Sequence, residues 1–156
     1  MSESKLILVS NLNAFLDTIS FSEGTQIAGS DDGYDVIVGG GLFKGYARPQ
    51  QFKVWIERIK NYSSAIGRYQ ILYKYAVHYM AQLNLPDFSP RSQDKIALQL
   101  IRECKATQLI LDGAISQAIM ACNSRWASFP GNAYGQRQEK MDNLLQFFVA
   151  AGGTIK

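Results

Sequence analysis

The sequence lacks the residues and runs that several large protein classes require. Its 156 residues include two cysteines and one histidine, which makes a structural zinc site implausible. The N-terminal segment has only four consecutive apolar residues, Leu6–Val9, too few for a signal peptide or a membrane span. Lysine and arginine form no basic run and the formal net charge is only +3, so nucleic-acid binding is not expected. We expect a protein kept in the cytoplasm until something else releases it, with no metal, cofactor, nucleic-acid partner or stable membrane insertion.

Several familiar catalytic motifs are also missing. The chain has no Gly-x-Ser-x-Gly nucleophile elbow and no P-loop. His78 shares the polar face of a predicted helix with Lys74 and Gln82, which predicts a solvated ring. Cys104 and Cys122 each lie on an apolar helix stripe, so we expect buried free thiols. A disulfide between them is conceivable but disfavoured in a cytosolic protein.

A chain of this length suffices for one domain with a real core and is too short for two, so we predict a single domain over residues 1–156. Apolar residues at helical spacing predict five helices. The first covers about 11–22, with Ser10 or Asn11 as its cap. The others cover about 69–83, 89–104, 115–126 and 141–148.

Residues 26–67 differ in composition from the rest of the chain, because glycine is concentrated there. Residues 34–38 are rich in strand-forming side chains and run into three glycines, which predicts a strand followed by a turn. Residues 53–56 fit a strand, and fit a helix almost as well. We therefore predict an α+β fold, with a mainly helical body and a small β section after the first helix.

Glu23 stands out among the carboxylates. It arrives at the C-terminal end of the first predicted helix, two residues after the aromatic Phe21. The negative end of the helix dipole and an apolar neighbour both favour the protonated acid. Gly24 then allows a sharp turn. A carboxylic acid that keeps its proton near neutral pH is what a general acid for glycosidic bonds needs, although a solvated helix-end residue would look the same in sequence.

A second catalytic carboxylate is harder to identify. Asp31, Asp32 and Asp35 lie in the β section and are candidates, but spacing does not choose among them. Each also fits an ordinary turn or strand-start role. One acid–base residue is enough if the substrate supplies its own nucleophile.

Three clusters of aromatic and polar residues are typical of a sugar-binding surface, where ring faces stack on sugars and amides bond to hydroxyls. Core packing plus a loop is the commoner origin of any one such cluster, and their joint occurrence with Glu23 is better evidence than any one of them. The clusters are Gly67–Gln70, Trp126–Pro130 and Ala133–Gln136.

Several segments, in the same order along nearly the whole chain, resemble the phage lambda endolysin family, which consists of lytic transglycosylases with a lysozyme-like fold. The matching segments are Ser22–Thr25, Gly33–Gly40, Gly67–Gln70, Asp87–Pro90, Ser92–Asp94, Trp126–Ser128, Tyr134–Gln136 and Ala151–Thr154. The resemblance implies a helical lobe and a small β-sheet lobe that flank a glycan-binding cleft. It also implies that the substrate is peptidoglycan, cut between N-acetylmuramic acid and N-acetylglucosamine with formation of a 1,6-anhydro product.

The resemblance makes Glu23 the single catalytic acid and Tyr134 a cleft tyrosine. The other substrate-binding residues that it implies are Tyr34, Arg68, Tyr69, Gln70, Trp126 and Gln136. This chain departs from the family at Phe21, where tryptophan is expected, and in the loop 44–64.

The resemblance further implies a monomer that reaches the periplasm with the help of a holin-type membrane protein and then lyses the host cell. A hydrolytic muramidase that uses water and an aspartate of the β section is the mechanistic alternative. A non-catalytic peptidoglycan-binding module is the alternative from another functional class.

Overall fold

The computed structural model describes residues 2–156, except for the side chains of Ser4 and Ile7. Its contacts group the chain into two compact units. One consists of Met1–Ser22 and Gln99–Lys156, and the other of Glu23–Leu98. The single domain over residues 1–156 stays a prediction.

The described elements follow one another in the order α1 (Glu3–Glu23), β1 (Val54–Ile56), a 3-10 turn (Glu57–Ile59), β2 (Asn61–Ser63), β3 (Ala65–Ile66), β4 (Ile71–Leu72), α2 (Tyr73–Gln82), α3 (Pro90–Glu103), α4 (Thr107–Leu111), α5 (Ile115–Cys122) and α6 (Met141–Ala150). Among the described residues, no helix is both long and apolar enough to cross a membrane.

The core of the first unit is built on aromatic rings. The Phe15 ring of α1 meets the edge of Phe129 with centroids 6.1 Å apart, and Trp126 lies 6.0 Å from Phe129. Phe148 of α6 is fully buried, and a Cβ added at Gly153 would lie 2.2 Å from its ring. Only glycine therefore lets the C-terminal segment pass so close to this helix. Ile19, Ile119 and Leu144 complete this part of the core.

The first helix begins eight residues before its predicted start. Ser10, one of the two predicted caps, lies inside the helix, and its hydroxyl donates to the Leu6 carbonyl. This bond satisfies the hydroxyl without ending the helix. Asn11, the other, is buried and donates to the carbonyls of Ile110 and Thr154 at 2.9 and 3.1 Å. Its amide therefore ties α1 to other segments of the first unit. The prediction of a cap at either residue was wrong.

The second unit contains two small antiparallel sheets. In the β1–β2 hairpin, Trp55 stands opposite Tyr62, and β3 pairs with β4 so that Ala65 faces Leu72. The strand alternative for residues 53–56 is thus the correct one. The predicted strand 34–38 is reduced to single bridges at Val36 and Ile37. The reason is the glycine turn, in which the Gly40 amide returns to the Ile37 carbonyl at 2.9 Å.

The later helices differ from prediction at their ends. Helix α2 begins at Tyr73 rather than at 69, because Ile71–Leu72 pair as a strand. Helix α5 ends at Cys122, four residues before the predicted end at 126. The short helix α4 was not predicted. His78 is exposed, as expected, and Cys104 and Cys122 are free, with Cys122 buried and Cys104 half-buried.

Candidate active site

The segment Ser22–Thr25 carries the predicted acid. Glu23 is half-buried and is the last residue of α1, as the sequence predicts. Gly24 follows with φ +74°, a left-handed conformation that glycine adopts without strain. The Phe21 ring stacks on Phe147 with centroids 4.4 Å apart and the planes 10° from parallel. Because residues two apart on a helix do not face each other, an effect of Phe21 on the Glu23 carboxyl stays a prediction.

Thr25 fixes the chain just after the acid. Its buried hydroxyl donates to the Arg68 carbonyl at 2.7 Å. Gly33 packs directly on the same residue, and a Cβ at this position would lie 2.9 Å from the Thr25 carbonyl oxygen. Within the second unit, therefore, the turn after Glu23 is anchored on the Gly67–Gln70 segment.

Arg68 and Tyr69 are buried in a polar cluster with Tyr34 and Asp94. Both tyrosine hydroxyls donate to Asp94 Oδ1, at 2.8 Å from Tyr34 and 2.6 Å from Tyr69. Arg68 donates through Nη1 to the Tyr69 hydroxyl at 3.1 Å and through Nε to the Asp32 carbonyl at 2.9 Å. Its guanidinium carbon lies 5.3 and 5.5 Å from the centroids of the Tyr34 and Tyr69 rings. Three predicted site residues thus meet around a carboxylate.

The same cluster changes the acidity of its tyrosines. Burial, together with the hydrogen bond to Asp94, raises the pKa of Tyr34 to about 12. Burial and the negative charge of Asp94 raise the pKa of Tyr69 well above its ordinary value. Both phenols therefore keep their protons at neutral pH and act as hydrogen-bond donors to Asp94.

Gln70 and Gln93 support the segment from its backbone. Gln70 has φ 50° and donates to the Gly67 carbonyl at 2.9 Å. Gln93 accepts from the Arg68 amide at 3.0 Å and donates to the Tyr34 carbonyl at 3.0 Å. A Cβ at Gly67 would come within 2.3 Å of the Gln93 amide oxygen. Tyr34, Arg68, Tyr69 and Gln70 are thus part of one hydrogen-bonded arrangement.

Asp94 and Gln93 were not predicted as site residues, although a signal existed. Gln93 lies four residues before Ala97 and seven before Leu100, two residues of the predicted apolar stripe of α3. A polar side chain at such a core-facing position needs buried partners. That requirement could have pointed to a polar cluster at the start of α3.

The three aspartates of the β section have structural partners. Asp35 accepts from the Asp31 amide at 2.8 Å, and the Asp31 carboxylate accepts from the Tyr46 hydroxyl at 2.7 Å. Asp32 has φ 48° and lies 3.8 Å from the Arg68 guanidinium. Each therefore has the turn role that the sequence left open. Across residues 2–156, no group of three or more His, Cys, Asp or Glu side chains is placed to hold a metal.

The first unit contains the remaining predicted residues. Trp126 is buried in the core, whereas Tyr134 and Gln136 are exposed. The Tyr134 hydroxyl donates to the Ser124 carbonyl at 3.2 Å. Asn132 holds this segment by donating to the carbonyls of Ala127 and Phe129 at 3.0 and 2.8 Å. The Tyr134 ring is therefore displayed on a loop with its own anchors.

A family model described as Endolysin matches residues 13–155. The chain is 46% identical to the endolysin of Escherichia phage lambda over 147 residues, which cover 92% of either chain. It is 44% identical to the endolysin of Escherichia phage P2 over 156 residues, covering 92% of this chain and 94% of that protein.

Solved structures give the same result. Bacteriophage lambda lysozyme complexed with a chitohexasaccharide matches with a TM-score of 0.90 at 45% identity. A second structure of lysozyme from bacteriophage lambda matches with a TM-score of 0.86 at 44% identity. Both matches cover 94% of this chain and 97% of the other. The predicted α+β, lysozyme-like fold class is confirmed.

Proposed function

Because the chain belongs to the endolysin family, whose members degrade peptidoglycan, we propose that it is a lytic transglycosylase with Glu23 as its sole acid–base residue. The resemblance expected from the sequence is confirmed by the family match. The proposed reaction breaks the β-1,4 bond between N-acetylmuramic acid and N-acetylglucosamine without adding water. The product carries a 1,6-anhydro ring on the muramic acid.

The proposed reaction needs one proton carrier. The Glu23 carboxylic acid donates its proton to the glycosidic oxygen as the bond from that oxygen to C1 of the muramic acid breaks. The resulting carboxylate then takes the proton of the 6-hydroxyl while the hydroxyl oxygen bonds to C1. Glu23 ends the cycle protonated. The reaction therefore needs no second carboxylate and consumes no water.

The observation that carries this proposal is the position of Glu23 at the end of α1, within the Ser22–Thr25 segment that resembles the endolysin family. Glu23 lies at a helix end in a segment whose neighbours, Ser22 and Thr25, are hydrogen-bonded in place. Asp31 and Asp35 take part in turn and tyrosine hydrogen bonds. A mechanism with Glu23 as its sole acid–base residue suits a substrate that supplies its own nucleophile.

The related lambda lysozyme forms a complex with a chitohexasaccharide, and we extend glycan binding to this chain. Tyr134 and Gln136 offer exposed groups for stacking and hydrogen bonding. Tyr34 and Gln70 are half-buried, and Arg68, Tyr69 and Trp126 are buried. We propose that, within each unit, the buried residues hold the more exposed ones in place, and that the more exposed ones contact sugar.

Product analysis tests the reaction. Purified peptidoglycan is digested, and the fragments are analysed by mass spectrometry, since an anhydro end is lighter than a reducing end by one water. We expect anhydro-muramic ends from the wild type and a loss of roughly 10²-fold or more in rate for Glu23→Gln, which keeps the shape but carries no transferable proton. Reducing muramic ends would identify a hydrolytic muramidase, and wall binding without released fragments would identify a binding module.

We also propose that the protein acts as a monomer on the wall in the periplasm, and that a holin-type membrane protein admits it from the cytoplasm. Expression without such a protein should then leave host cells intact, and chemical permeabilisation of the inner membrane should lyse them. Lysis before permeabilisation would contradict dependence on a holin. A sedimentation mass of two or more chains would contradict the monomer.

A further inference from the structure

Four residues of the first unit form a closed ring of hydrogen bonds at the end of α1. Arg137 Nη2 donates to the Ser22 carbonyl at 2.7 Å, and Arg137 Nη1 meets Glu139 Oε2 at 3.0 Å. The Glu139 amide donates to the Ser128 carbonyl at 2.7 Å. The hydroxyls of Ser128 and Ser22 share a bond of 2.8 Å, which closes the ring. We call these four residues the Arg137 ring.

The bond from Arg137 supplies a donor to a carbonyl near the end of helix α1. The last four carbonyls of an α-helix have no amide partner within the helix, and Ser22 is the residue before the end of α1. A cation at this end also meets the negative pole of the helix dipole. A guanidinium bonded to a carbonyl is therefore a charge-assisted cap for the turn that carries Glu23.

Glu139 holds the arginine in place. Its carboxylate accepts from Asn143 at 3.0 Å as well as from Arg137. The bonds from Asn143 and Arg137 lower the pKa of Glu139, so this carboxylate is charged at neutral pH. Both serines are buried, which shields two corners of the ring from water.

We propose that Arg137 is a positioning residue for Glu23, an inference that rests on the proposed function. The Ser22 carbonyl and the Glu23 amide belong to one planar peptide group. Fixing the carbonyl oxygen therefore fixes the orientation of the backbone from which the Glu23 side chain departs. Proton transfer is sensitive to such placement, because small displacements of a catalytic group lower the rate steeply.

The loop that contains Arg137 is also held by hydrogen bonds that do not involve Arg137, so we expect its replacement to affect kcat more than KM. The Asn132 amide is bonded to the carbonyls of Ala127 and Phe129, and Gln138 donates to the Asn132 carbonyl at 2.7 Å. Removing the guanidinium should thus leave the Tyr134 segment in place. The expected change is a lower kcat with a nearly constant KM.

The test uses soluble peptidoglycan fragments and four proteins: wild type, Arg137→Met, Arg137→Lys and the control Arg102→Met. Arg102 is exposed on α3 and bonds to Gln99, so its replacement removes the same charge without touching the ring. We expect about a tenfold loss of kcat for Arg137→Met with KM within about twofold. Arg137→Lys should recover part of the rate, since an ammonium can still donate to the Ser22 carbonyl, and Arg102→Met should match the wild type.

Glu139→Gln extends the test to the ring itself. Combined with Arg137→Met it should cost little more than Arg137→Met alone, because both changes disrupt one arrangement. An unchanged kcat for Arg137→Met below its melting temperature would overturn the inference, even if the melting temperature falls. Failure of the proposed function looks different, because the wild type would then release no anhydro products or Glu23→Gln would be active.

Discussion

Replacing Asp94 by alanine should destabilise the protein strongly, although Asp94 is neither catalytic nor fully buried. Its Oδ1 accepts from both Tyr34 and Tyr69, and the Tyr69 side chain is only 1% exposed. The buried Tyr69 hydroxyl would lose its 2.6 Å bond to Asp94, at a cost of about 1–3 kcal/mol. Tyr34 is half-buried and can turn to water, so its lost bond adds about 1 kcal/mol.

The expected total is about 2–4 kcal/mol, which for a chain of this length lowers Tm by roughly 5–15 °C. Asp94→Asn should cost about 1 kcal/mol, because its amide oxygen still accepts hydrogen bonds. The matched control is Asp112→Ala. Asp112 is exposed and accepts a bond from Gln108, so its replacement should change the free energy of unfolding by no more than about 0.5 kcal/mol. Calorimetry or circular dichroism at pH 7 measures all three variants. If Asp94→Ala has the same melting temperature as the Asp112→Ala control, the bonds from the two tyrosine hydroxyls to Asp94 do not stabilise the fold and the reasoning fails.

Three further predictions concern other parts of the structure. The pKa of Tyr34 is raised to about 12 in the folded state against an ordinary 10.0, so the folded state holds this proton more tightly. The stability that Tyr34 contributes is therefore complete below pH 10 and should fall as the pH rises from 10 to 12, which urea titrations at alkaline pH can follow; a flat profile would contradict this. Thr25→Val removes the donor to the Arg68 carbonyl and should lower both stability and kcat, whereas Thr25→Ser should retain both in the same assays. Contact with the Cys122 thiol lowers the pKa of Cys104, whereas the pKa of Cys122 is raised. Iodoacetamide should therefore label Cys104 first, and the midpoint of its labelling rate against pH should lie below pH 8.5. Equal labelling rates of the two native thiols would refute this.

Helix periodicity and glycine placement were enough to predict the α+β class and the position of Glu23 at a helix end. Both follow from local rules, because an apolar stripe identifies a helix and Gly24 marks where it stops. The start of α1 could not be read in the same way. Asn11 resembles a cap in sequence, and only its buried bonds to Ile110 and Thr154, about a hundred residues or more away in the chain, reveal another role.

The polar cluster around Asp94 could not be predicted from the sequence for the same reason. Sequence reasoning placed Arg68 and Tyr69 in a cluster typical of a sugar-binding surface, and the family resemblance added Tyr34. Their burial around Asp94 depends on contacts 25 to 60 residues apart. Local patterns hold no information on such pairings, although a polar residue on an apolar stripe, as at Gln93, indicates that a partner exists.

The central claim is that Glu23 alone carries both proton transfers, with the 6-hydroxyl of the substrate as nucleophile. The most direct measurement is the mass of the muramic ends released from purified peptidoglycan by the wild type and by Glu23→Gln at equal protein concentration. We predict anhydro ends from the wild type and almost no fragments from the variant. Reducing ends from the wild type, or anhydro ends released by Glu23→Gln at a comparable rate, would contradict the claim.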